Sequence, residues 1–145
     1  MKITKRVEWD SAHRLLGHGK CGTLHGHRYI GLVTVLQDRA ADMVMDFAEV
    51  DRIVSEVVKK GFDHTTLVWL KDHELLSFCE RQTKLKDCKN PYTFEGQTTV
   101  ENIARELYGR LARAFERAGV VLDTVSVFET PTSTATYSGE EETDA

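Results

Sequence analysis

Residues 25–37, His25-Gly26-His27-Arg28-Tyr29-Ile30-Gly31-Leu32-Val33-Thr34-Val35-Leu36-Gln37, are rich in β-branched and aromatic side chains and read as one long strand. Upstream, residues 2–10 alternate loosely, with Ile3, Val7 and Trp9 on one phase, and read as a first strand. The Gly- and His-rich stretch 11–24 (Gly17, His18, Gly19, Gly22) reads as the loop that joins the two strands as a hairpin. Downstream, Asp38 to Asp42 is a polar turn, with a hairpin return expected at Met43–Met45. Residues 47–60 place Phe47, Val50, Ile53, Val54, Val57 and Val58 on one helical stripe, and Gly61 is a suitable stop. Within 62–97 the sequence predicts a short helix over 72–82, a turn at Asn90-Pro91 and a short strand over Tyr92–Phe94. Thr98-x-x-Glu101 fits a capping box for a second long helix, whose stripe is Ile103, Ala104, Leu107, Leu111, Phe115 and Ala118, with Gly119 at its end. Val121–Glu129 and Ala135–Ser138 read as two final strands turning near Pro131. Two hairpins around two helices predict an α+β domain, an antiparallel sheet with its helices on one face. The other face then needs a cover, which association with further copies of the chain would supply.

The 145 residues suit one domain, 1–145, with one core and an insertion at about 67–97. The net charge is −4, with 41% hydrophobic and 29% charged residues, an ordinary globular composition. The acidic excess argues against a general nucleic-acid binder. No apolar run is long enough to span a bilayer, and the first residues, MKITKRVEWD, are too charged for a signal peptide. Three Cys residues without a secretion signal do not suggest a disulfide framework. The expectation is a cytoplasmic protein with reduced thiols. The acidic end, EEETDA, reads as a frayed tail.

His25 and His27 stand two apart at the start of a predicted strand, so both side chains project to one face, about 6–7 Å apart. His13 follows the first strand, and pairing of the two strands as a hairpin brings it beside them. Three neutral imidazoles with an open fourth position describe a catalytic zinc site, although ligand type alone also admits Ni, Cu or Fe. An HxH pair by itself is common without metal; it is His13 at the strand end that makes the case. Cys21, four residues before His25, reads as a fourth ligand, a buried small hydrophobe, or a nucleophile or base. Its Gly-rich polar loop fits a buried apolar role poorly, and a nearby cation would favour the thiolate.

Ser11-Ala12-His13, Cys21-x-x-x-His25-Gly26-His27, MVMDFAEV at 43–50, Asp63-His64, Thr99-Val100-Glu101-Asn102 and Phe128-Glu129-Thr130 together resemble the 6-pyruvoyl-tetrahydropterin synthase family in order and spacing. The three-residue gap between Cys21 and His25 resembles the bacterial and archaeal 6-carboxytetrahydropterin synthases of the queuosine pathway. The resemblance implies the tunnelling fold: a four-stranded antiparallel sheet of two hairpins with two helices on one face, assembled as a hexamer from two stacked trimers. It implies a lyase that converts 7,8-dihydroneopterin triphosphate to 6-carboxytetrahydropterin, acetaldehyde and triphosphate. Carried over by motif, His13, His25 and His27 hold Zn2+, Cys21 is the general base, and Asp63 and His64 form a proton relay supplied across a subunit boundary. Glu129 anchors the pterin through a bidentate pair. Thr99 and Glu101 map onto substrate-contacting positions, the alternative being that Thr98 and Glu101 simply cap the helix.

The remaining candidates carry blander expectations. Asp46 fixes a turn before the first helix, His18 is a loop residue near the site, and His73 is an exposed helix residue. Cys79 and Cys88 are structural or incidental, and a second metal site built from them with His73 is disfavoured. The stretch 94–98 departs from the family pattern and leaves the pocket edge open. Two rival functions remain: another activity of the same fold, either triphosphate elimination to 6-pyruvoyltetrahydropterin or cleavage of a dephosphorylated neopterin, and a metal- or pterin-binding subunit without turnover. Retention of Cys21, Asp63 and His64 together argues against the second.

Overall fold

The computed structural model describes residues 1–37 and 40–139. Strand β1 (Lys2–His13) and strand β2 (His25–Leu36) form the predicted hairpin, in antiparallel register from Lys2 opposite Leu36 to His13 opposite His25. Both strands alternate cleanly. Trp9, Ser11 and His13 on β1, and Tyr29, Val33 and Val35 on β2, point to one buried face. Helix α1 (Phe47–Gly61) lays Val50, Ile53, Val54 and Val58 on that face. Its start is capped by Asp46, whose side chain accepts from the Ala48 N–H, the structural role the sequence predicts for that residue.

After α1 the chain adds a third strand, β3 (Thr65–Trp69), parallel to β1, then helix α2 (His73–Gln82) and the short strand β4 (Tyr92–Phe94) parallel to β3. Helix α3 (Val100–Arg117) packs its Ile103, Ala104, Leu107, Leu111 and Phe115 on the same sheet face as α1. Gly119, at φ +80°, turns the chain out of α3 in the left-handed region that glycine adopts without penalty. The hairpin β5 (Val121–Thr130) and β6 (Ser133–Tyr137) completes the sheet beside β2.

The sheet therefore has six strands in the order β4-β3-β1-β2-β5-β6, not four. The four predicted antiparallel strands are its contiguous centre and one edge. β3 escaped the sequence reading because it touches β1 only at Ser11–Thr65 and Ala12–Thr66 and buries Thr65, Leu67 and Val68 with little alternation. Among the described residues there are three α-helices, α2 being the short one the sequence predicts. Residues 43–45 are not a strand. Val44 and Met45 instead pack against the core from an irregular segment. The expected turn from Asp38 lies partly, and the tail EEETDA wholly, outside the described residues. Helix α3 begins one residue later than expected, with Thr99 rather than Thr98 as its cap, its hydroxyl accepting from the Asn102 N–H. Thr98 is buried instead. Among the described residues no helix is long and apolar enough to cross a membrane.

Candidate metal centre and active site

The hairpin register places His13 directly opposite His25, with His27 two residues further along the same face. One ligating nitrogen from each of the three rings falls within 4.8 Å of the others. The ring centroids are 4.8 Å apart for His13 and His25, 5.2 Å for His13 and His27, and 4.8 Å for His25 and His27. Two of the rings are fixed from behind. His13 Nδ1 meets the Thr98 carbonyl at 2.8 Å, and His25 Nδ1 meets the Thr23 carbonyl at 2.6 Å. A carbonyl accepts only from an N–H, so each Nδ1 carries the proton and each Nε2 keeps its lone pair. That is how proteins orient imidazole ligands toward a metal. Burial holds His13 and His27 below the ordinary imidazole pKa, more strongly than the Glu129 carboxylate raises them. Neutral, pre-oriented imidazoles fit a divalent cation.

Glu129, near the end of β5, reaches this cluster. Its Oε1 lies 3.4 Å from His13 Nε2 and 3.7 Å from His27 Nε2. Tyr29, two residues beyond His27 and on the same face, forms the floor. Its buried hydroxyl is 3.4 Å from His13 Nε2, and burial, with Glu129 nearby, raises its pKa. Cys21 sits in the single 3-10 turn Gly19–Gly22, half-buried, and does not contribute to the cluster of ligating atoms. Its N–H donates to the His18 carbonyl and its carbonyl accepts from the Leu15 N–H at 2.8 Å, which ties the turn to the chain leaving β1. Thr99 spends its hydroxyl on the α3 cap, and Glu101 is exposed in the first turn of that helix.

Asp63 and His64 are joined, Asp63 Oδ2 lying 3.1 Å from His64 Nδ1. Backbone bonds pin the pair to β1: the Asp10 N–H donates to Asp63 Oδ1 and the His64 N–H to the Asp10 carbonyl. Burial pushes the Asp63 carboxyl up, but the Asp10 N–H, His64 and Lys89 outweigh it and hold it below the usual range. Within one chain this pair does not join the imidazole cluster. His64 borders a depression of about 500 Å³ lined by Asp10, Ala12 and Arg28 and also by Ser11 and His27. By strand alternation the side chains of Asp10, Ala12 and Arg28 face away from His13, His25 and His27, while His27 itself also borders the depression. A larger groove of about 790 Å³ between α1 and α3 carries none of the predicted site residues. Much of its charge is internally paired, as in Glu49–Arg52, Glu56–Lys60 and Glu106–Arg110.

Among the described residues His13, His25 and His27 are the one such metal-competent cluster, and His73 (exposed), Cys79 (buried) and Cys88 (exposed) form none. The sequence reading missed Tyr29, Thr98 and Asp10. Tyr29 was legible, being in phase with His27. Thr98 and Asp10 act through backbone groups that no side-chain pattern reveals.

The family model of 6-pyruvoyl tetrahydropterin synthase matches residues 2–140. The chain belongs to this family. Among similar curated proteins of the family is the 6-carboxy-5,6,7,8-tetrahydropterin synthase of Rickettsia bellii, 33% identical over 135 residues, covering 90% of this chain and 95% of that protein. A protein of the same name from Synechocystis is 34% identical over 143 residues, covering 93% and 91%. The human 6-pyruvoyl tetrahydrobiopterin synthase is 27% identical over 154 residues, covering 96% and 92%. In structure the chain is similar to an uncharacterized protein from Wolinella succinogenes, with TM-score 0.80 and 20% identity over 97% of this chain and 98% of that one. The Caenorhabditis elegans 6-pyruvoyl tetrahydropterin synthase superposes with TM-score 0.67 and 23% identity, over 97% and 96%. These likenesses establish the family fold.

Proposed function

We propose that the protein is a zinc-dependent lyase that converts 7,8-dihydroneopterin triphosphate to 6-carboxytetrahydropterin, acetaldehyde and triphosphate, serving queuosine synthesis in the cytoplasm. The observation that carries this reading is the convergence of His13, His25 and His27 with Glu129 at one end of the sheet. The names of the bacterial relatives support the carboxy product.

A zinc ion held by the three Nε2 atoms would supply Lewis acidity to the hydroxyls of the substrate side chain. The rest of the work belongs to the chain. Glu129 accepts the ring N–H and the amino group of the pterin, setting the ring beside the imidazoles. Cys21 takes a proton from the side-chain carbon next to the ring. His64 passes protons between substrate and solvent, and Asp63 holds its ring in the orientation for doing so. Thr99 and Glu101 border the substrate at the start of α3. The relay stands apart from its own chain's imidazole cluster, and a second copy of the chain supplies His64 to each site. A hexamer of two trimers satisfies that need and covers the outer sheet face.

The deciding experiment is incubation of the zinc-loaded protein with dihydroneopterin triphosphate and mass spectrometry of the products. Acetaldehyde with the carboxy product is the expected result. Triphosphate release with 6-pyruvoyltetrahydropterin and no acetaldehyde selects the activity in the human relative's name instead. No turnover leaves a binding subunit.

A further inference from the structure

Residues 67–97 contribute no predicted site residue, yet they hold the chain at both halves of the proposed site. At one end, Asp72 caps α2 through the Leu75 N–H and is buried. Its two carboxylate oxygens take Nε and one Nη of Arg14 at 2.6 Å each. A two-bond fork fixes the plane of the guanidinium as well as its position. Arg14 directly follows His13, so this pair governs how the chain leaves β1 at a metal-ligand position. Gln97 adds a bond from Nε2 to the Leu16 carbonyl at 3.1 Å, and the next residue, Thr98, holds His13 Nδ1.

At the other end, Lys89 Nζ donates to the carbonyls of Lys59 and Asp63. The first lies in the last turn of α1, where carbonyls lack helical partners and the helix dipole favours a cation. The second belongs to the relay pair. His64 follows at φ +54°, a left-handed conformation that a non-glycine residue keeps only when its surroundings hold it there.

We propose that the 67–97 segment is a brace for the catalytic centre, with Asp72 and Lys89 as its positioning residues. Asp72, through Arg14, sets the His13 side of the imidazole cluster, and Lys89 sets the turn that presents His64. This rests on the site reading given under the proposed function. A segment that only added stability would leave ligand geometry and turnover unchanged in a folded variant.

The test uses the full chain loaded with Co2+, whose visible absorption reports ligand geometry, and zinc-loaded protein for kinetics. Asp72→Asn is expected to shift the cobalt band and weaken cobalt binding about tenfold. Lys89→Gln is expected to leave the cobalt band in place and to lower kcat on dihydroneopterin triphosphate about tenfold with KM nearly unchanged, and Lys89→Arg to restore most of it. If Asp72→Asn does not fold, Arg14→Lys keeps the charge, loses the fork and is expected to shift the band in the same way. A wild-type spectrum and cobalt affinity in the Asp72 or Arg14 variant removes that half of the brace, and wild-type kcat in Lys89→Gln removes the other. If the unaltered protein turns nothing over, the proposed function has failed, and the cobalt arm alone still decides the Asp72 contact.

Discussion

His13 shows how one residue is prepared for its role. It is fully buried, yet Thr98 satisfies its Nδ1, and its Nε2 faces two further imidazoles and a carboxylate. Because burial depresses its pKa, and that of His27, the unfolded chain binds more protons than the native one once pH drops below about 6.5. Stability of the metal-free protein is therefore expected to be intact above that pH and to fall as the medium is acidified through the lower, folded-state values. Thermal unfolding between pH 8 and 5 checks the sign, and the slope should flatten in His13→Gln. A melting temperature that rises on acidification would contradict the burial argument. Cys21 makes a different prediction. Its sulfur stands outside the ligand cluster, so Cys21→Ala should retain stoichiometric zinc and lose about 10²–10⁴-fold in kcat. Loss of zinc along with activity would make Cys21 a ligand.

At the scale of elements, the buried face of the first hairpin leaves no slack. A methyl group on Gly31 would stand 3.0 Å from Val7 Cγ1 and 3.1 Å from Trp9 Cζ3. Trp9 cannot retreat, being stacked on Tyr29 at 5.4 Å and edge-on to Phe62 at 6.0 Å. Gly31→Ala is thus expected to destabilise by about 1–3 kcal/mol through overpacking, measured by denaturant unfolding. The start of α3 separates two roles of one residue. Thr99→Ala should cost about 1 kcal/mol from the lost cap, and Thr99→Ser close to nothing. If Thr99 also contacts substrate, the alanine variant raises KM as well, while a cap alone leaves the kinetics of the folded protein untouched. The sequence pointed to a cap here but chose the neighbouring threonine. Two adjacent threonines offer the same hydroxyl, and only the backbone path decides which accepts from an N–H and which turns inward to hold His13.

At the scale of the whole molecule, the Asp63-His64 pair stands outside the imidazole cluster, and His64 borders a depression that His27 also lines. On β1, β2 and β5 the outer face carries Arg28–Asp10 and Thr4–Thr34 contacts beside half-buried Ile30, Leu32 and Phe128, and among the described residues no helix packs over that part of it. If neighbouring copies complete each site, Cys21→Ala and His64→Ala chains are each inactive alone, and mixed oligomers formed by refolding them together regain part of the activity. Absence of regained activity in verified mixed oligomers would place the relay and the cluster of one chain in the same site.

By itself the sequence determined the first hairpin, the two long helices and the cluster of three imidazoles. Local rules suffice for these: alternation puts His25 and His27 on one face, and hairpin pairing carries His13 to them. Only the tertiary structure decided what depends on contacts distant along the chain. The strand β3 is held by a two-residue parallel pairing to β1, the Thr98 carbonyl reaches His13 across 85 positions, and Asp72 meets Arg14 across 58. Backbone carbonyls are chemically alike in every residue, and an interior parallel strand buried on both sides shows no alternation. No pattern in the chain could mark either until the fold had brought the partners together.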